Sequence, residues 1–169
     1  MDTSVFLALA LACAPQVHTN TAHALVGVES AFNPWAIGVV GGALVRQPRH
    51  RAEALATARA LRATGWNFSV GLSQINVGNF ERLGLTLESA FEPCTNLKAM
   101  QSVLVECFDR ARVAITTAPE DQTALRQALS CYYSGNFAAG FRHGYVSKVV
   151  AAAGTAARAV STPQPKEKV

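Results

Sequence analysis

Hydrophobic residues recur at three- and four-residue steps along most of this chain, the spacing that gathers them on one face of a helix. The longest such run goes from about Thr95 to Thr116, where Leu97, Met100, Leu104, Cys107, Phe108 and Ala111 make a single apolar face. A first helix is predicted from about Thr3 to Cys13, ending near Ala14-Pro15. A second starts at the Thr19-Asn20 cap signals and runs to about Ala31. An Ala/Leu/Arg helix from about Arg51 to Ala63 is closed by Thr64-Gly65. Another follows Pro119 and the acidic pair Glu120-Asp121, reaches Tyr133 and stops at Gly135. The last runs from about Gly144 to Arg158. Two stretches break the pattern. Asn33 to Pro48 is glycine-rich and contains proline, which suits a loop, and Trp66 to Asn76 has no helical period and two β-branched residues. The latter stretch is predicted as extended or as a short hairpin. The expectation is a mainly α single domain over residues 1–158 with one small extended element, followed by a disordered polar tail over 159–169.

Composition narrows the class. A chain of 169 residues, 50% of them hydrophobic, can bury a sizeable core. Its 15 Lys and Arg against 11 Asp and Glu give a formal net charge of +4, too small and too scattered for nucleic acid. The tightest basic cluster, Arg46 to Arg51, has no interleaved aromatics and reads as a solvated loop. The apolar run Val5 to Ala14 is too short to span a bilayer. It is preceded by Met-Asp-Thr-Ser without Lys or Arg, so a packed first helix is favoured over a cleaved export signal. Cys13, Cys94, Cys107 and Cys131 include no close metal-ligand pair. They read first as buried free thiols, and an even number also permits two disulfides with three possible connectivities.

One residue stands out against the apolar pattern. Leu25, Val28, Glu29 and Phe32 fall at i, i+3, i+4 and i+7 of the second helix, so Glu29 shares its buried stripe. Pro34 cannot continue that helix and pushes Asn33 out of helical geometry. Glu29 is therefore expected in the last turn, beside unpaired carbonyls at the negative end of the helix dipole. Apolar surroundings and the dipole both disfavour the carboxylate anion and raise its pKa. A carboxyl that keeps its proton near neutral pH is what a general acid needs to break an acetal C–O bond.

Other chemistries find less support. Cys131 and His143 are the nearest pair for a Cys/His hydrolase. His18 and His23 are five residues apart, which turns them about 140° away from each other on a helix, and no Cys/His set has zinc-ligand spacing. The glycines of Gly38 to Gly42 lack the Lys-Ser/Thr continuation of a phosphate-binding loop. No metal or cofactor is expected.

Three separated segments match one family in order and spacing. "VESAFNPWAIG" resembles the catalytic-glutamate motif of lysozyme-like lytic transglycosylases. "VGLSQINVGNF" is similar to their second motif, usually Gly-Leu-Met-Gln-Ile. "SCYYSGNFAAGFRHGYVSKV" is similar to their third, usually Ala-Tyr-Asn-x-Gly followed by Gly-Tyr-Val. "CAP" at Cys13 and "PCTNLKAM" at Cys94 resemble more narrowly the VirB1 type, which accompanies type IV secretion and conjugation machines.

The resemblance covers roughly residues 5 to 150 and implies a lysozyme-like α+β fold and a periplasmic monomer acting on peptidoglycan, with secretion-system components as further partners. It implies that Glu29 is the catalytic acid/base and that Ser30 and Gln74 orient the glutamate or the sugar. Tyr132 would lie near Glu29 and donate a hydrogen bond to it, and Gly71, Leu72, Ile75 and Asn76 would shape a small extended lobe lining the cleft. Two departures from the pattern bear on the sugar site. Ser73 replaces the usual methionine, so an apolar wall of the sugar site is expected to become small and polar. Tyr133 replaces the usual asparagine, with loss of a polar contact. Cys131 takes the usual alanine place, which implies burial. Trp35, Trp66 and Phe80 could stack on sugars or pack in the core, and Glu81 is expected to be exposed. A hydrolytic lysozyme with a second carboxylate and a catalytically weak peptidoglycan-binding assembly factor are the alternatives.

Overall fold

The computed structural model describes residues 1–114 and 121–161. The elements follow in the order α1 (Thr3–Cys13), α2 (Thr19–Ser30), β1 (Ile37–Val39), α3 (Arg51–Ala63), β2 (Phe68–Val70), β3 (Ile75–Asn76), α4 (Leu87–Ala90), α5 (Pro93–Ala114), α6 (Asp121–Ser134), α7 (Ala139–Arg142) and α8 (Tyr145–Ser161). A single 3-10 turn over Val77–Asn79 follows β3. The fold is mainly helical with one small antiparallel sheet, as expected.

The apolar run near the start of the chain forms a packed helix. Asp2 caps α1 by accepting the Ser4 backbone N–H at 2.8 Å, and Phe6, Ala10 and Cys13 are buried against the rest of the core. Among the described residues no helix is long and apolar enough to cross a membrane. The long helix α5 runs through the core and packs on α1, α4 and α6, with β3 against it. Leu97, Met100, Leu104, Cys107 and Ala111 of its predicted face are buried, and Phe108 packs against them.

The cysteines are paired rather than free. Cys13 of α1 bonds Cys94 of α5, and Cys107 of α5 bonds Cys131 of α6. This corrects the expectation of buried thiols and selects one of the three connectivities. The physical reason is helix packing, which brings together cysteines that are 81 and 24 residues apart in the chain.

The sheet has the order β1-β2-β3, all antiparallel. Its register places Ile37 opposite Val70 and Val70 opposite Ile75. The adjacent rung is Gly38, Ser69 and Asn76. Side chains alternate faces along a strand, so the rung of Ile37, Val70 and Ile75 is buried in the core while that of Gly38, Ser69 and Asn76 faces outward. The predicted hairpin is therefore real, but it gains a third strand from Ile37–Val39, a stretch read as loop. The short helices α4 and α7 also carried no pattern. Four residues are too few to show a period.

Helix ends agree with expectation to within a few residues. Thr116, Pro119 and Glu120, to which helix limits were assigned, lie outside the described residues. Helix α8 continues to Ser161, three residues past the expected end at Arg158, and the predicted tail beyond it lies outside the described residues.

Candidate active site

Glu29 sits where the end of α2 is forced by its sequence. The helix stops at Ser30, and Ala31 and Phe32 both take left-handed backbone conformations, with φ of 48° and 61°. Ala31 returns its N–H to the Gly27 carbonyl, and Asn33 accepts the Trp35 N–H with its side chain. Two successive non-glycine residues in this region cost roughly 1–3 kcal/mol each. The Phe32 ring offsets part of that cost by packing edge-on against Phe6 and beside His23, at centroid distances of 5.1 and 4.7 Å. A strained but well-anchored turn thus fixes the direction of the carboxylate that precedes it.

Glu29 opens into a cleft of about 770 Å³. One wall is the outward rung of the sheet, Gly38, Ser69 and Asn76, extended by Asn67 and Gln74. The other is the end of α6 and its turn, Tyr132 to Gly135, with Val103 of α5. Among the described residues, Glu29 is the one carboxylate that lines this cleft. Burial raises its pKa from the ordinary 4.5 to about 7, and the hydrogen bond from Tyr145 lowers it in opposition. The Tyr145 hydroxyl donates to Glu29 Oε1 at 2.5 Å. Burial first, and then the nearby Glu29 charge, push the Tyr145 phenol far above its usual range, so it stays a donor.

The donor to Glu29 is thus Tyr145 at the start of α8, which corrects the expectation for Tyr132. The Tyr132 hydroxyl donates at 2.6 Å to the Ser73 carbonyl. Its ring still lines the cleft close enough to Glu29 for the carboxylate to raise its pKa, after the larger effect of burial. Tyr145 was visible in the sequence as the tyrosine of "GYV", but nothing there assigned it a partner.

Ser73 also departs from expectation. It is not among the residues that line the cleft, because its side chain is fully buried and turned towards Asn96 of α5. Its N–H and Oγ both donate to Asn96 Oδ1, at 2.8 and 2.5 Å. Asn96 in turn donates to the carbonyls of Val70 and Ala90, at 3.0 and 2.8 Å. This fully satisfied buried amide, missed in the sequence, pins the β2–β3 turn to α5. Gly71 shows how tight the arrangement is: its φ is 80°, and a Cβ there would fall 2.3 Å from Asn96 Nδ2.

The remaining residues are distributed around this frame. Ser30 Oγ donates back to the Val26 carbonyl at 3.3 Å, whereas the side-chain hydrogen bond to Glu29 comes from Tyr145. Gln74 has a left-handed backbone, with φ of 50°. Its Nε2 donates to the carbonyls of Ala36 and Gly71, so it ties β1 to the turn while it lines the cleft. Asn76 donates to Asn67 Oδ1 at 2.8 Å and accepts the Gly78 N–H, presenting a polar edge to the cleft. Leu72 is buried behind that edge, while Ile75, nearly buried, still lines the cleft.

Tyr133 keeps a polar group where a loss was expected. Its ring stacks on Tyr145 at 4.7 Å and its hydroxyl meets His143 Nδ1 at 3.3 Å. Cys131 is buried in its disulfide. Of the aromatic candidates, Phe80 is buried in the core and Trp35 packs against it, while Trp66 is exposed. Glu81 is exposed and lies outside the lining of the cleft.

A proton-holding carboxyl at a helix end, facing a groove between helices and a three-stranded sheet, defines the lysozyme-like arrangement. The chain belongs to the transglycosylase SLT domain family, whose model matches residues 6–149. It is 52% identical over 153 residues to the type IV secretion system protein virB1 of Brucella abortus, covering 88% of this chain and 63% of that protein. It is 37% identical over 165 residues to the protein virB1 of Rhizobium radiobacter, covering 96% and 66%. The chain therefore spans about two thirds of the length of these relatives. No solved structure gives a significant match.

Proposed function

We propose that this chain is a peptidoglycan lytic transglycosylase in which Glu29 acts first as acid and then as base. The protonated carboxyl donates to the oxygen of the β-1,4 bond between N-acetylmuramic acid and N-acetylglucosamine. The C1–O bond breaks as the muramic ring gains oxocarbenium character, assisted by its own acetamido group. Ionised Glu29 then takes the proton of the same ring's C6 hydroxyl while O6 bonds to C1. The products are a free 4-hydroxyl on N-acetylglucosamine and a 1,6-anhydro-N-acetylmuramic end, and no water is consumed.

One observation carries this reading. Glu29, whose pKa burial raises to about 7, stands as the one carboxylate lining the cleft among the described residues. Ordinary glycosidases need a second carboxylate as base or nucleophile, within about 10 Å across the scissile bond. An internal C6 hydroxyl makes that second group unnecessary. Tyr145 supports the cycle, since its hydrogen bond favours the anion that forms when the proton is given away.

The role in the cell follows from different support. A relative named as a type IV secretion system protein supports a place beside such an apparatus, and we read the role there as local opening of the wall for secretion or conjugation. Two disulfides fit a periplasmic protein, because such bonds persist in oxidising compartments. Digestion of purified sacculi with product analysis by mass spectrometry tests the reaction. Anhydro-muropeptides support it, new reducing ends would replace it with a hydrolytic lysozyme, and bound but uncut polymer would leave a binding assembly factor.

A further inference from the structure

Beside the cleft lies a second, smaller cavity of about 260 Å³, which shares Asn79, Val103, Tyr132 and Gly135 with it and is also lined by Arg82, Glu106 and Arg110. These charges are not equivalent. Arg82 is engaged with Glu106 at 2.5 Å and with Asn79 Oδ1 at 3.3 Å. Arg110 enters none of the ion pairs among the described residues. It is nevertheless held in place: its guanidinium lies over the Phe137 ring, 5.6 Å from the centroid, and Nη1 approaches Cys131 Sγ at 3.7 Å. Cys131 is itself fixed by its bond to Cys107, one turn before Arg110 on α5. A planar cation set on an aromatic face keeps N–H groups available for two-pronged recognition of a carboxylate, with little further ordering cost.

We propose that Arg110 binds a carboxylate carried by the substituents of the glycan strand as that strand lies in the cleft. The inference rests on the peptidoglycan reading above. The sugar backbone of such a strand is neutral, so its acidic groups are of two kinds: the lactyl carboxylate of an unsubstituted muramic residue, and the carboxylates of an attached peptide. Both present the same chemistry to a guanidinium. A neutral N-acetylglucosamine oligomer offers neither.

Binding by a Glu29→Gln protein tests this without turnover. Three probes of equal sugar length are compared by calorimetry: a chito-oligosaccharide, a muroglycan oligomer stripped of peptide, and the same oligomer with peptides attached. Expected is a Kd about tenfold lower for at least one carboxylate-bearing probe than for the neutral one, the scale of one charge-assisted hydrogen bond. The probe that shows it identifies the source. Adding Arg110→Met should bring the ratio to about one, and Arg110→Lys should restore part of it.

Equal affinity for all three probes would overturn the assignment to Arg110 while leaving the proposed substrate in place. A ratio unaltered by Arg110→Met would do the same, as would uniform weakening of every probe. Failure to bind any probe would overturn the substrate itself and this inference with it. A sacculus digest that yields no anhydro ends would count against the reaction alone.

Discussion

The hydroxyl of Tyr145 and the carboxylate of Glu29 meet at 2.5 Å across 116 residues of chain. Burial of the glutamate works against its charge, and the phenol works for it. The proposed single-carboxyl reaction would depend on this opposition, since Glu29 would have to be protonated on arrival of the substrate and ionised halfway through. A transglycosylase built this way should respond to changes on either side of the balance.

Glu29→Gln should lower the rate of strand cleavage by about three orders of magnitude, the range expected when a general acid is lost. The variant should remain folded, because Gln retains the shape and the acceptor for Tyr145. Circular dichroism with sacculus digestion checks both halves. Undiminished turnover would remove Glu29 from the chemistry.

The same variant should show a pH-dependent gain in stability. The folded-state pKa of about 7 lies above the ordinary 4.5, so the folded protein holds this proton more tightly than the unfolded chain does. The resulting stabilisation is fully present below pH 4.5 and is lost as pH rises through 7. Glutamine does not ionise. Relative to wild type, Glu29→Gln should gain nothing near pH 4 and about 3 kcal/mol by pH 8. Urea unfolding at several pH values measures the difference, and a gain independent of pH would contradict the assigned protonation.

Tyr145→Phe removes the group that favours the Glu29 anion, so the pKa of Glu29 should rise further. Wild-type activity should fall with a midpoint near pH 7, and the variant's falling limb should move to higher pH while its maximal rate drops. A pH–rate profile reads both changes. A limb that stays in place would mean that the hydrogen bond does not set the titration.

Ser73→Met restores the residue usual in the second motif of related enzymes. Here it should destabilise the protein by about 1–3 kcal/mol, the usual cost of forcing a large side chain into a filled site. Ser73 is fully buried, and its hydroxyl is committed to Asn96. Thermal or urea denaturation gives the answer. If methionine were neutral or stabilising, the Ser73–Asn96 contact would not be what holds the turn.

Reduction of the disulfides should be costly. Closing loops of these lengths restricts the unfolded chain by about 3–5 kcal/mol per bond in the chain-entropy description. Denaturation with and without reductant, compared with the Cys107→Ser/Cys131→Ser double variant, separates the two bonds. Equal stability in all forms would remove them as structural staples.

The long helices, the position of Glu29 in the last turn of α2 and the hairpin were legible in the sequence because each rests on local rules. A helical period marks α5, proline stops α2, and the loss of that period together with two β-branched residues marks the extended stretch from Trp66 to Asn76. Contacts made over distance were not legible. Tyr145 and Tyr132 are both tyrosines of one motif, and nothing local says which reaches Glu29 and which reaches the Ser73 carbonyl. Ser73 reads as a loss to the sugar wall until Asn96, 23 residues on, is seen to face it. The strand Ile37–Val39 is hidden in glycine-rich sequence because only pairing with β2 makes it a strand. The cysteines were countable, but their partners depended on how α1, α5 and α6 pack.

Helix α5 carries Cys94, Asn96, Val103 and Cys107 within four turns, and these residues reach α1, the β2–β3 turn, the cleft and α6 in succession. Both banks of the groove therefore hang from one rod. Jaws mounted on a common beam have no hinge between them, so the proposed glycan strand would fit the gap it finds instead of being gripped by closure. Crystal forms with and without bound oligosaccharide should superpose across both banks, leaving rotations of individual side chains as the main adjustment.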